Sequence, residues 1–195
     1  MFRQLNNFSR SRASNFIAFV WGLAEGVFFF IVPDVYIGFM SLVSFKSGIF
    51  SVFYVLLGSL LSAILVFIIH GQIGSRMSEL LLYVPGINAS MLTKVSNDLS
   101  AQGLSALITG PLFGIPYKIY TTFAAQLSFR LTSYLLWSIP ARLERLTIIF
   151  IIAALSGRLL RKSIEKHPIL ASFCYIFIWI GIYVAYFAVI NEPAK

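Results

Sequence analysis

The chain has 195 residues, 58% of them hydrophobic and only 11% charged, with a mean hydropathy of +0.86. Soluble domains run at about 45–50% apolar and about 25% charged, so a soluble globule and a disordered chain are both excluded. One cysteine, Cys174, excludes a disulfide scaffold. The net charge of +8, from 15 Lys+Arg against 7 Asp+Glu, would point to nucleic acid in a soluble protein. In a membrane protein it separates into loop charges that orient the chain and buried charges that are functional candidates. The composition therefore predicts an all-α, polytopic integral membrane protein with no nucleic-acid partner.

Residues 1–14 are polar and basic, with Arg3, Arg10 and Arg12, and are expected to form a cytoplasmic N-terminus. The apolar run 16–32 has the look of a signal peptide. It carries Glu25, lacks an A-x-A site and is followed by further apolar sequence, so we read it as retained. It stops at Pro33-Asp34, and 35–45 follows up to Lys46. A spanning helix needs about 20 apolar residues. Proline removes a donor and disfavours helix in the residue before it. We therefore expect 16–45 to be a re-entrant helical hairpin, two short conventional helices being the alternative.

The stretch 49–69 is apolar and uncharged over 21 residues and reads as a span. Its Gly58, Ser59, Ser62 and Ala63 permit close helix contact. The segment 75–103 is polar. Asn88 is a suitable N-cap, and Met91, Leu92, Val95 and Leu99 recur at helical spacing. That predicts an amphipathic helix, 88–102, lying on the membrane surface.

The run 104–126 is apolar but broken by Gly110-Pro111, Gly114 and Pro116, with Lys118 beyond. Broken backbone at membrane depth requires cover from protein or a wet cavity, so we expect a second re-entrant hairpin. Residues 131–157 are long enough to span yet contain Pro140, Arg142, Glu144 and Arg145. A basic cluster, Arg158, Arg161, Lys162 and Lys166, leads to a final span, 168–190, and a tail, 191–195. Trp179 and Cys174 on that span read as packing. The prediction is a single membrane domain, 15–190, with three to four spanning helices.

With the N-terminus in the cytoplasm, eight loop cations fall inside: Arg3, Arg10, Arg12, Lys46, Arg158, Arg161, Lys162 and Lys166. Arg76, Lys94, Lys195 and Arg130 fall outside or near it. That asymmetry obeys the positive-inside rule. The scheme is also a loose repeat, hairpin plus span twice, inserted from opposite sides. GVFFFIVPD at 26–34 aligns with GPLFGIPYK at 110–118. Inverted repeats with broken helices are a transporter design.

Six charges lie within or beside apolar runs: Glu25, Asp34, Lys118, Arg142, Glu144 and Arg145. Each costs on the order of 2.5–3.5 kcal/mol at a helix centre. Together they would cost roughly 15–20 kcal/mol, as much as a whole fold is worth. They must face each other, a wet cavity or a ligand. Internal pairing is one reading, especially for Glu144 between its two arginines. The other makes Lys118, Arg142 and Arg145 a pocket for a phosphate. Arg142 and Arg145, three apart, share a helix face. Glu25, Asp34 and Glu144 are then the pairing or proton-exchanging acids, and Pro33, Gly114 and Pro116 the hairpin tips. His70 reads as interfacial and His167 as solvated. No catalytic constellation, metal site or cofactor site is visible, so no enzyme is expected.

AEGVFFFIVPD at 24–34, G-x-x-G at 71–74, GIPYKIYTTFAA at 114–125 and PARLERL at 140–146 resemble, in that order, the DedA family. The family belongs to the VTT-domain or SNARE-associated membrane proteins, and the likeness is greatest to its YqaA-like branch. The chain departs from the family pattern in carrying Lys118 where an arginine-bearing motif is usual, and Gln126 in place of a glycine. The resemblance implies two facing re-entrant hairpins in a bacterial inner membrane. It implies a flippase or scramblase moving phospholipid or polyprenyl-phosphate lipid, with proton coupling. Its partners would be anionic membrane lipids, with a homo-oligomer left open. By position, Glu25 and Asp34 correspond to the family's acids, Lys118 to a basic residue of the second hairpin, and Arg142 and Arg145 to its arginine pair. Alternatives are a transporter for a small solute or ion, and a scaffold for membrane assembly.

Overall fold

A computed structural model describes residues 2–74, 76–110 and 114–190, with residues 189 and 190 described by their backbone alone. The 191–195 tail lies outside the described residues. Every described helix or turn belongs to an all-α fold, with no strand among the described residues. The N-terminal fourteen residues are more ordered than their polarity predicts. They form a helix, α1 (Phe2–Ser9), and the first turn of α2 (Arg12–Val27). Ser11 caps α2 by accepting from the Ser14 amide at 3.2 Å, satisfying one of the amides a helix start leaves unpaired.

The chain breaks at 28–33 and resumes as α3 (Asp34–Val43), with Pro33 directly before its first turn. α2 and α3 run antiparallel. Ser14 near the start of α2 meets Tyr36 and Met40 of α3, the Tyr36 hydroxyl donating to the Ser14 carbonyl at 2.8 Å. Near the other end, Trp21 donates to the Ile31 carbonyl at 3.0 Å. So α2 and α3 are tied by these side-chain contacts, while α2 packs mainly along α4 and α3 mainly along α9. α4 (Phe45–Ile73) follows, 29 residues long, or about 43 Å at 1.5 Å per residue. That exceeds the roughly 30 Å hydrocarbon core of a bilayer.

α2 lies closely along α4 because both carry small residues at the contact. Gly22 faces the Val55 backbone, Gly26 faces Ser62, and Gly58 faces the Phe19 backbone, leaving no room for a Cβ at any of the three. Gly22 and Gly26 are four apart, so they lie one above the other on one face.

Short helices α5 (Arg76–Leu81) and α6 (Ala89–Gln102) follow. α6 begins where the sequence predicts, Asn88 accepting from the Met91 amide at 3.0 Å. Its apolar stripe packs on protein. Val95 and Leu99 are buried in a core cluster with Leu104, Ile119 and Tyr120, so protein occupies the stripe that was assigned to lipid. A 3-10 turn (Gly103–Ser105) and a four-residue helix, α7 (Ala106–Thr109), make the first arm of the second broken segment. α8 (Tyr117–Gln126) is its second arm. Pro116 stands directly before α8, as Pro33 does before α3, and Gly114 takes φ +84° in the break, a conformation glycine adopts without strain.

α9 (Leu131–Leu159) is as long as α4 and contains Pro140. It runs antiparallel to both α4 and α8: Arg142 meets Ser59, while Tyr134 meets Thr121 and Phe67. A turn of helix, α10 (Arg161–Lys166), leads into α11 (Pro168–Ile190). Against the expected three to four spans, two helices among the described residues are both long and apolar enough to cross a membrane, α4 over its whole length and α11 over Pro168–Ala188. α9 has the length, but its four charged residues lower its apolarity.

Candidate functional site

Two breaks in helices that are otherwise regular come together in the middle of the bundle. In the first, Pro33 cannot donate and holds the preceding residue out of helix. The freed backbone groups must find other partners. Three side chains supply them, Lys118 and Tyr183 from distant elements and Trp21 from the preceding helix. Lys118 Nζ donates to the Phe29 carbonyl at 2.9 Å. Trp21 Nε1 donates to the Ile31 carbonyl, and the Val32 amide donates to the Tyr183 hydroxyl at 2.8 Å. In the second break, the Tyr186 hydroxyl donates to the Gly114 carbonyl at 3.3 Å, and it also reaches the Gly86 carbonyl, in the loop between α5 and α6, at 3.1 Å.

Lys118 thus joins the two breaks. It lies in the first turn of α8, where the helix dipole disfavours a cation, and it is 3% exposed. Such a position is unfavourable unless neighbours offset it. The Phe29 carbonyl is one, and Glu25, close enough to act on its charge, is another.

Glu25 sits on the last turn of α2 and is 4% exposed. Arg142 Nη2 donates to its Oε2 at 2.7 Å and to Ser59 Oγ at 2.6 Å. The Arg142 guanidinium also lies 4.5 Å above the Tyr117 ring, a favourable cation–π arrangement. Its Nε remains a buried donor with no partner among the described residues. Asp34 opens α3, where the positive end of the helix favours a carboxylate. Arg145 donates to Asp34 Oδ2 from Nε at 2.9 Å and from Nη2 at 2.7 Å.

The cluster therefore gathers five of the six candidate charges: three cations and two carboxylates, a net of +1. The sixth, Glu144, is corrected. It is exposed, while Arg142 is buried and Arg145 half-buried. At 100° per residue it points well away from both neighbours, so the arginines pair across the bundle and not along α9. The cleft between Glu25, Pro33, Asp34 and the two arginines has a volume of about 10 Å3, space for about one water molecule. A phosphate enters only if the surrounding elements move. Among the described residues, no three His, Cys, Asp or Glu side chains group as metal ligands.

The sequence reading missed Ser59, Tyr117, Trp21, Tyr183 and Tyr186. The last two belong to α11, which reads as a plain span. The available clue was the aromatic stripe Tyr175, Trp179, Tyr183 and Phe187 at four-residue spacing, whose rings form a ladder with centroids 6.3–6.4 Å apart. Tyr175 adds a third tether, its hydroxyl donating to the Val35 carbonyl at 2.8 Å. Compared with family models, curated proteins and solved structures, the chain finds no match.

Proposed function

We propose that this chain is an integral membrane lipid transporter of the DedA or VTT kind, moving a phosphate-bearing lipid between leaflets. In this reading the two broken segments are re-entrant hairpins inserted from opposite faces of a bacterial inner membrane. The N-terminus is cytoplasmic, and α4, α9 and α11 cross. The observation that carries it is the junction of the breaks: Lys118 holding the Phe29 carbonyl, flanked by two buried ion pairs in a chain this apolar. Irregular backbone at membrane depth is tolerated where protein or a cavity covers it, and ionisable residues there mark transport paths.

The geometry supplies a mechanism for proton coupling. Both arginines are held by carboxylates, so an incoming phosphate must compete for them. Protonation of Glu25 or Asp34 removes a competitor. The freed guanidinium, its fork matched to a phosphate, and Lys118 then take the headgroup, while the acyl or prenyl chains stay in lipid. Deprotonation restores the ion pair and expels it. Partner exchange makes lipid and proton binding mutually dependent. To test this, the protein is reconstituted in liposomes and leaflet exchange of a labelled anionic lipid is followed. Exchange is expected with the intact chain and lost with Lys118→Ala and with Glu25→Gln. Unchanged exchange in both variants would sink the mechanism, and absence of exchange for every phosphate-bearing lipid would sink the function.

A second reading, a membrane scaffold without transport, is favoured by one observation. Both ion pairs are closed and the cleft between them is about 10 Å3. It predicts that neutralising both members of a pair leaves function intact.

A further inference from the structure

One end of the bundle collects α1, the α3–α4 junction and α10. Arg161 ties them together, lying 4.6 Å above the Phe2 ring and donating to the Val43 carbonyl at 3.0 Å. Ser47 Oγ donates to Ser9 Oγ at 3.0 Å. The eight cations assigned to the cytoplasm lie on these segments or beside them, Arg10 just before α2, Arg12 at its start and Arg158 at the end of α9. Among the described residues, the carboxylate facing them there is Glu165, already bonded to Arg161 at 2.6 Å. Arg158 is exposed and has no carboxylate partner among the described residues.

Two apolar grooves open at this end. One, about 360 Å3, lies between residues 41–45 and α9, with Arg158 and Arg161 among its walls. The other, about 710 Å3, runs between α9 and α11 over Gly38 and ends at Ser163 and His167. Leu42 lines both. The ridge between them is the contact of Leu42 with Gly157, where an added Cβ would lie 2.9 Å from the Leu42 Cα. α11 closes the second groove loosely, none of the residues in its span being buried. Both volumes fall in the range of about 300–1,000 Å3 that small-molecule sites occupy. Arg158 and Arg161 line the first groove and His167 the second.

We infer that this end binds one anionic two-chain phospholipid, separate from the transported lipid. Its phosphate sits against Arg158, and its chains part around the Leu42–Gly157 ridge, one in each groove. A zwitterionic lipid has the same chains and a phosphate, but its own ammonium offsets that charge, and basic pockets at the cytoplasmic ends of membrane helices select headgroups of net negative charge. The inference rests on the bilayer placement proposed above and not on transport.

Native mass spectrometry of the full chain in detergent, titrated with phosphatidylglycerol or phosphatidylcholine, tests it. One phosphatidylglycerol should be retained under conditions that strip phosphatidylcholine. Arg158→Glu should weaken retention on the order of tenfold or more, from two units of surface charge, and Arg158→Lys should keep it. Ala171→Trp fills the second groove from an unburied position on α11 and should also weaken it. Lys94→Ala, on α6 away from this end, should change nothing. Equal retention of the two lipids, or indifference to Arg158→Glu, would overturn the proposal. So would a dimer that forms without lipid and is lost in Ala171→Trp, since a second copy would then fill the groove. Retention is read without any exchange assay. A Lys118→Ala protein that retains phosphatidylglycerol but moves none separates failure of transport from failure of this site.

Discussion

Neutralising Glu25 tests whether the buried cluster is held as described. Its carboxylate is 2.7 Å from Arg142 Nη2, with the two side chains 5% and 9% exposed. At that separation and an effective dielectric of about 20, the gross attraction is about 6 kcal/mol. Desolvation of both groups offsets much of it, but removing one partner leaves the other charge buried and uncompensated, at about 3–5 kcal/mol. Glutamine fits the space of Glu25, so the loss in Glu25→Gln is electrostatic and not steric. For a chain of this size, 1 kcal/mol moves the midpoint by about 2–4 °C, so thermal unfolding in detergent should fall on the order of 10 °C. Arg142→Gln should cost a similar amount, since it strands Glu25 and also loses Ser59 and the Tyr117 ring. The double variant should recover roughly 2 kcal/mol or more relative to the sum of the single losses, the sign of a direct pair. A coupling below about 0.5 kcal/mol, or a Glu25→Gln protein as stable as its parent, would refute the assigned pairing.

Gly26→Leu should separate α2 from α4, since Ser62 already fills the space. A loss of about 1–3 kcal/mol is expected, and an unchanged unfolding midpoint would contradict the packing. Tyr183→Phe removes the acceptor for the Val32 amide in the first break. It should cost about 1–3 kcal/mol and speed hydrogen exchange at residues 28–33, which would be untouched if α11 were an unattached span. Asn88→Ala removes the cap of α6 and should cost about 1 kcal/mol. Faster amide exchange confined to the first turn of α6 would identify the cause, and an unaffected turn would show that the cap contributes nothing.

Much of the element plan was legible from apolar runs and prolines. Pro33 and Pro116 each stand directly before a helical arm, because proline fits a helix start and cannot continue a helix that precedes it. The gathering of charges was legible too. In a chain with so few polar groups, Glu25, Asp34, Lys118, Arg142 and Arg145 have little besides each other to offset their burial. The identity of the pairs was not. Glu144 is the nearest acid to both arginines along the chain, but helical geometry turns it to the opposite face, and Glu25 and Asp34 arrive from more than 100 residues away. Backbone acceptors such as the Phe29 carbonyl leave no trace in a sequence, so the role of Lys118 in joining the breaks could not be read. The face of α6 was misassigned because the apolar spacing of Val95 and Leu99 is the same whether lipid or protein covers it. α5 and α10, at six residues each, are too short to show periodicity.

The exchange of partners at the cluster is tested most directly by leaflet exchange of a labelled anionic phospholipid in liposomes holding the Glu25→Gln/Arg142→Gln double variant. This protein should fold, because neither member of the pair is left buried without the other and Lys118 keeps the Phe29 carbonyl, yet it has lost both the competing carboxylate and the fork that receives the phosphate. A transporter working as proposed loses exchange in the double variant while the protein stays folded, its unfolding midpoint above the level to which the two single losses add. Exchange at the parental rate in that variant would contradict the account, leaving the charged pair with a structural role alone.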